Sequence, residues 1–107
     1  MAAAPDPVFK ALADPTRRSL FERLSREGEQ TVHALTERSG VSQPAVSKHL
    51  RQLKRARLVR CRRDGRETHY NANPQALAPL VDWIGFYGSF WQDRLDKLET
   101  LLKRMDS

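Results

Sequence analysis

Ser42-Gln43-Pro44-Ala45-Val46-Ser47-Lys48-His49-Leu50-Arg51-Gln52-Leu53-Lys54-Arg55 reads as a helix whose two faces differ in kind. Ser42 can cap it, because a serine oxygen at that position accepts from a backbone N–H that has no partner inside the helix. Pro44 falls in the first turn, where a missing N–H is tolerated. Val46, Leu50 and Leu53 recur at helical spacing and make an anchoring stripe. Gln43, Pro44, Ser47, Lys48 and Arg51 fall on the opposite side. Residues 42–56 therefore form one unit, held by one face and free to present the other.

The chain on the N-terminal side completes a motif. Thr31 can cap a preceding helix with Val32, Ala34 and Leu35 turned inward, and Gly40 sits where a helix end needs a left-handed residue. Two short helices joined by Ser39-Gly40-Val41 are a helix-turn-helix pattern. Further upstream, Val8, Phe9, Ala11 and Leu12 suggest a short first helix begun after Pro7. Asp14-Pro15-Thr16 restarts the chain, with Asp14 as cap and Pro15 at the first helical position. Leu20, Phe21 and Leu24 then mark a second helix that ends near Gly28.

On the C-terminal side the period changes. Two extended runs, 58–62 and 67–71, flank Arg63-Asp64-Gly65-Arg66. Asp-Gly between such runs predicts a tight hairpin whose two turn residues both take positive φ. In that register Val59 faces Tyr70, Cys61 faces Thr68 and Arg62 faces Glu67. The hairpin spans 57–72 and carries a basic tip. After Asn73-Pro74 and a short break at Pro79, a long helix is expected over 79–105. Its stripe is Ile84, Tyr87, Trp91, Leu95, Leu98, Leu102 and Met105, at spacings of three or four. Trp83, Phe86, Tyr87, Phe90 and Trp91 crowd one part of it. The whole is one domain over 1–107, mainly α with a small β-hairpin: four helices, the hairpin, then a fifth helix.

The charge is equally localised. The chain carries +6, yet residues 48–66 hold nine basic residues against the single acid Asp64, and the remainder is slightly acidic. A basic stretch beside a two-faced helix is the footprint of a phosphate-binding surface. Gln can pair with adenine, and Lys or Arg can donate to guanine, from a helix lying in the major groove. Ser42 and the helix start suit a phosphate. Arg62, Arg63 and Arg66 at the hairpin tip suit backbone phosphates or the minor groove. The predicted DNA-contacting set is therefore Ser42, Gln43, Pro44, Ser47, Lys48, Arg51, Arg62, Arg63 and Arg66. The predicted self-association set is Trp83, Ile84, Tyr87, Trp91, Leu95, Leu98 and Leu102.

Several classes are disfavoured. No nucleophile–base constellation, phosphate-cradling glycine loop or metal-ligand spacing appears, so no enzyme and no cofactor are expected. One cysteine, Cys61, allows no internal disulfide. The start Met1-Ala2-Ala3-Ala4-Pro5 lacks the pattern of a secretory signal, and no apolar run approaches membrane-spanning length. A cytoplasmic protein without a membrane partner is the expectation.

Asp14-Pro15-Thr16-Arg17-Arg18, the run Ser42 to Leu50, Leu53-Lys54, Leu58-Val59 and Arg63-Asp64-Gly65-Arg66 together resemble the ArsR/SmtB family of bacterial repressors. The resemblance implies a winged helix-turn-helix homodimer, joined through its terminal helices, that blocks transcription at a palindromic operator in double-stranded DNA. It also implies that Gln43, Ser47 and Lys48 occupy base-reading positions. Many members sense metals through a Cys-Val-Cys at the start of the third helix, but here that run is Thr31-Val32-His33. Others use carboxylates and histidines on the last helix, which here has Asp82, Asp93, Asp96 and Glu99 but no histidine. His33, His49 and His69 sit on different elements. No metal site is expected, as in the metal-independent branch of the family. The aromatic cluster reads as a dimer core, or as a pocket for a small apolar effector between the terminal helices. Cys61 reads as a small hydrophobe on the hairpin's inner face, with a redox sensor as the other possibility. A protein-interaction module built on the aromatic helix is the alternative of a different class.

Overall fold

A computed structural model of the chain describes residues 5–106. The elements run α1 (Asp6–Ala13), α2 (Pro15–Glu27), β1 (Gln30–Thr31), α3 (Val32–Thr36), α4 (Gln43–Arg55), β2 (Val59–Asp64), β3 (Glu67–Ala72), a 3-10 turn (Pro74–Leu77) and α5 (Ala78–Asp106). The proposed secretory-signal exclusion at residues 1–4 lies outside the described residues.

Local chemistry sets the helix starts. The Arg17 backbone N–H donates to Asp14 Oδ2 at 2.9 Å, opening α2. Ala34 N–H donates to Thr31 Oγ1 at 3.0 Å and Ala45 N–H to Ser42 Oγ at 3.3 Å, opening α3 and α4. Gly28, at φ 87°, ends α2 in a conformation that favours glycine. The helix-turn-helix joint is longer than expected. Helix α3 stops at Thr36, and the connection then uses two left-handed residues, Arg38 (φ 64°) and Gly40 (φ 77°). The Arg23 guanidinium reaches across to cap this helix end, donating to the carbonyls of Ala34, Leu35 and Glu37 at 2.8–3.2 Å. Those are carbonyls that a helix C-terminus leaves unpaired.

Helix α1 starts at Asp6, so Pro7 lies inside its first turn instead of preceding it. The break expected at Pro79 lies earlier. The 3-10 turn over Pro74–Leu77 supplies it, and Pro79 stands in the first turn of α5, where a helix tolerates proline.

The hairpin register is corrected by two residues. Val59 pairs with Ala72, Cys61 with Tyr70, Arg62 with His69 and Asp64 with Glu67, leaving Gly65-Arg66 as the turn. Only Gly65 takes positive φ, at 63°. Glycine at the first central position needs no second left-handed residue, so Asp64 stays extended and paired. A shift of two preserves the alternation of faces, and Val59, Cys61 and Tyr70 still share the inner face. A third strand, β1, adds to the far edge of β3, giving the order β1-β3-β2. Its two residues carry no strand period, which is why the sequence reading missed it.

The core sits between α1–α4 and the inner face of the sheet. Leu35, Val46, Leu50, Leu53 and Leu58 are wholly buried, with Val8, Ala11, Leu20, Phe21, Leu24, Val59 and Tyr70 around them. Cys61 packs partly buried against this cluster. Helix α5 joins it only near its start, through Leu80 and the preceding Ala76 and Leu77. Ring contacts link Trp83 to Phe9 of α1, edge to face at 5.2 Å between centroids. No residue of α5 is buried.

Candidate nucleic-acid interface

Helix α4 is fixed from inside. Its three anchors, Val46, Leu50 and Leu53, have no exposed surface, and burying each contributes about 1.5–3 kcal/mol. Its C-terminal half is tied to the α1–α2 corner. Arg17 donates to the carbonyls of Ala11 at 2.7 Å and Lys10 at 2.9 Å, and its Nη1 donates to the Gln52 side-chain oxygen. His49 Nδ1 lies 3.9 Å from Asp14 Oδ2, the carboxylate that caps α2. The Arg17 backbone N–H and His49 together hold the Asp14 carboxyl below its ordinary range, with the N–H the larger influence. The Asp14-Pro15-Thr16-Arg17-Arg18 run is thus a fastening device. Its fifth member also donates, from Arg18 Nη1 to Leu12 O at 3.0 Å.

With one face held, the other is free. Ser42, Gln43, Pro44, Lys48 and Arg51 are exposed and Ser47 is half-buried. A cavity of about 200 Å³ runs between this face and the hairpin. Gln43 and Ser47 line it from α4, and Arg66, Glu67 and Thr68 from the hairpin. Thr31, Val32 and His33 close it from the start of α3. Sequence reasoning did not include Thr31, His33 and Thr68 in this site, because only folding brings three distant segments to one groove.

The cations divide sharply. Among the described residues Lys48, Arg51, Arg63 and Arg66 have no ion-pair partner, so their charge faces outward. Arg62 is different. Its Nε and Nη2 donate to the two oxygens of Glu29 at 2.7 and 2.8 Å, and Asn71 Nδ2 donates to the same carboxylate at 2.9 Å. Asp64 lies 3.7 Å from Arg62 Nη1. The Arg62 fork beside Glu29 holds that carboxyl down to about 2 from an ordinary 4.5. Arg62 therefore clamps the middle of β2, opposite His69, to Glu29, the residue before β1, while Arg63 and Arg66 stay nearer the tip.

Lys54 and Cys61 are neighbours on the inner side of the hairpin. The thiol beside it raises the Lys54 ammonium above its ordinary range, while burial raises the Tyr70 hydroxyl. Among the described residues no group of three or more His, Cys, Asp and Glu is placed to hold a metal ion. His33 lies near Glu37, His49 near Asp14, and His69 between Glu29 and Glu67. Among the described residues no helix is long and apolar enough to cross a membrane.

The predicted self-association residues share one long helix. Trp83, Ile84, Tyr87, Trp91, Leu95, Leu98 and Leu102 are all exposed on α5, roughly half of each side chain's surface meeting solvent. Trp83 and Tyr87 contact each other at 5.0 Å between centroids, and Phe86 meets Tyr87 edge to face. Phe86 lies outside the predicted set, yet it is among the most exposed apolar residues, at 75%.

Comparison with known proteins agrees with this architecture. The helix-turn-helix domain family matches residues 12–62. The chain is 35% identical over 77 residues to a transcriptional repressor of Bacillus subtilis, SdpR, covering 72% of this chain and 84% of that protein. It is 47% identical over 77 residues to an HTH-type transcriptional regulator of Mycobacterium tuberculosis, covering 72% of this chain and 71% of that one. The solved structure of an ArsR family transcriptional regulator superposes with a TM-score of 0.73 at 30% identity, covering 86% of this chain and 97% of that one. The solution structure of a homodimeric winged helix-turn-helix DNA-binding domain from Mycobacterium bovis superposes with a TM-score of 0.62 at 28% identity, covering 78% and 77%. The β2–β3 hairpin is thus the wing, and α3 and α4 form the helix-turn-helix. The chain belongs to the ArsR/SmtB family of winged helix-turn-helix transcriptional regulators, a family of DNA-binding proteins and not of enzymes.

Proposed function

We propose that the chain acts as a homodimeric repressor that seats two copies of α4 in the major grooves of a palindromic operator. The observation that carries this is the set of unpaired cations, Lys48, Arg51, Arg63 and Arg66, around an exposed helix face whose other side is wholly buried. In this reading Gln43, Ser47 and Lys48 meet base edges, with Pro44 packing beside them. Ser42 and Arg51 meet phosphates at the groove edge, and Arg63 and Arg66 extend the contact along the backbone. Arg62 contributes by holding the wing through Glu29, with its remaining exposed surface available to a phosphate. The exposed stripe of α5 pairs with that of a second copy, a reading favoured by the homodimeric structural neighbour. Half-sites then lie about one helical turn apart, or a multiple of it.

The sensing mode proposed is metal-independent. Thr31-Val32-His33 offers no thiol pair, and α5 offers no histidine. A small apolar effector, or a redox signal read at Cys61, is the input this reading leaves open, and the cytoplasm is the place of action.

A gel-shift titration on the DNA upstream of the protein's own gene, against scrambled DNA, tests the docking. Lys48→Ala and Gln43→Ala each cost about 1–3 kcal/mol and relax base preference. Arg63→Ala weakens binding to all sequences alike and lowers the salt dependence by about one phosphate contact. Unchanged operator affinity in all three variants rejects this docking.

A further inference from the structure

The basic stretch at 48–66 does not form one surface. Arg55 and Arg57 stand at the far end of α4, away from the cavity that holds Gln43 and Arg66. There both help line a groove of about 410 Å³. Its apolar lining is Pro7, Val8, Ala56, Ala76 and Pro79. Asn73 and Gln75 complete the lining, and among the described residues no carboxylate belongs to it. A second cavity, about 270 Å³, continues it through Pro7, Arg55 and Ala56 and adds Lys10.

The cations here are uncompensated. Among the described residues the side chains of Lys10, Arg55 and Arg57 make no hydrogen bond and no ion pair. Arg17, also at this rim, spends its guanidinium on the carbonyls of α1 and on Gln52. The backbone fixes the position of Arg57. Arg57 holds φ at 65°, a region that non-glycine residues rarely occupy. It is kept there by Asn73, whose Nδ2 donates to Arg57 O at 2.8 Å while its own N–H donates to Leu58 O at 2.7 Å. The Arg57 N–H also donates to Lys54 O at 2.9 Å and the Leu58 N–H to Leu53 O at 3.0 Å, so this left-handed residue is the cap that ends α4 and fixes where the Arg57 side chain departs.

We infer that this groove binds a small amphipathic carboxylate, its apolar body on the Pro7–Val8–Ala56–Ala76–Pro79 lining and its head on Arg55 and Arg57. A mostly apolar concavity with a few convergent polar groups is the ordinary form of a small-molecule site. The guanidinium fork matches a carboxylate in two parallel hydrogen bonds. A monoanion suits the apolar lining better than a phosphate dianion, which loses more solvation on entry. The walls come from α1, the end of α4 and the start of α5, so an occupant ties the reading helix to the terminal helices. This inference rests on the regulator reading for that consequence only; the binding itself does not depend on it.

Calorimetric titration of the full chain with sodium octanoate tests it, with octan-1-ol and sodium phosphate as controls. Octanoate is expected to bind saturably, one per protomer, with both controls at least about tenfold weaker. The Arg55→Gln/Arg57→Gln double variant, altered only at exposed side chains, is expected to melt as the parent does and to lose octanoate affinity at least about tenfold. Four results overturn the proposal: no saturable octanoate binding, equal binding of octan-1-ol, undiminished binding in the double variant, or a double variant that loses DNA affinity while keeping octanoate. Gel-shift without octanoate addresses the regulator reading separately. A protein that takes up octanoate but ignores its upstream DNA retains this inference and loses the other.

Discussion

Helices α4 and α5 both carry an apolar stripe at helical spacing, yet they meet opposite fates. The 13 residues of α4 include three side chains with no exposed surface. The 29 residues of α5 include none that is buried. The stripe of α4 is satisfied inside its own chain, which leaves its polar face as the surface with work to do. Among the described residues the stripe of α5 meets its own chain only near its start, where Trp83 touches Phe9, and the rest stays half-exposed, open to a partner surface. An amphipathic pattern therefore announces burial without naming the surface that provides it. A helix of 29 residues is about 43 Å long, and α5 is attached to the core only near its first turn. Exposed apolar area on that scale marks an interaction surface.

The sharpest way to break this contrast is to cut each stripe in turn. Leu50→Ala, in α4, is expected to lower unfolding free energy by about 2–5 kcal/mol in a denaturant titration, because its neighbours close only partly over the space left. Leu95→Glu/Leu98→Glu, in α5, is expected to leave the helical signal intact while raising the dimer dissociation constant about a hundredfold, or about 2.8 kcal/mol, in sedimentation equilibrium. If both changes unfold the chain alike, the contrast fails and α5 belongs to the intramolecular core. A smaller effect probes how α4 is fastened. Asp14→Ala removes the α2 cap and the partner of His49, and about 1 kcal/mol of thermal stability goes with it.

The smallest effect concerns the wing's tether. Glu29 titrates at about 2 in the folded chain against an ordinary 4.5, because Arg62 donates to it. A carboxyl with a depressed folded value binds its proton more readily when unfolded. Its stabilising contribution is thus present above about pH 4.5 and drains away as pH falls toward about 2. Glu29→Gln should therefore flatten the fall of melting temperature across that window. A profile that keeps the parent's slope would show that the Arg62 clamp does not couple to folding.

Much of the frame that positions the candidate site was legible because it is local. The caps at Asp14, Thr31 and Ser42 and the anchors Val46, Leu50 and Leu53 follow from rules that act over three or four residues. The hairpin was legible in its faces but not in its register. Alternation has a period of two, so a slip of two residues leaves the pattern of inner and outer side chains unchanged. Strand β1 was missed because two residues carry no alternation at all.

By itself the sequence determined where α2, α3 and α4 begin, which face of α4 is anchored, which strands of the hairpin alternate and that basic charge gathers between Lys48 and Arg66. Tertiary structure alone decided how that charge is used. It spent Arg62 on Glu29, 33 residues away, left Lys48, Arg51, Arg63 and Arg66 facing outward, and turned Arg55 and Arg57 toward a separate groove. The physical reason is range. Helix periodicity and capping act between near neighbours, whereas the partner of a long charged side chain depends on which distant segments the sheet and helices bring beside it, and here β3 sets β1 and β2 on its two flanks.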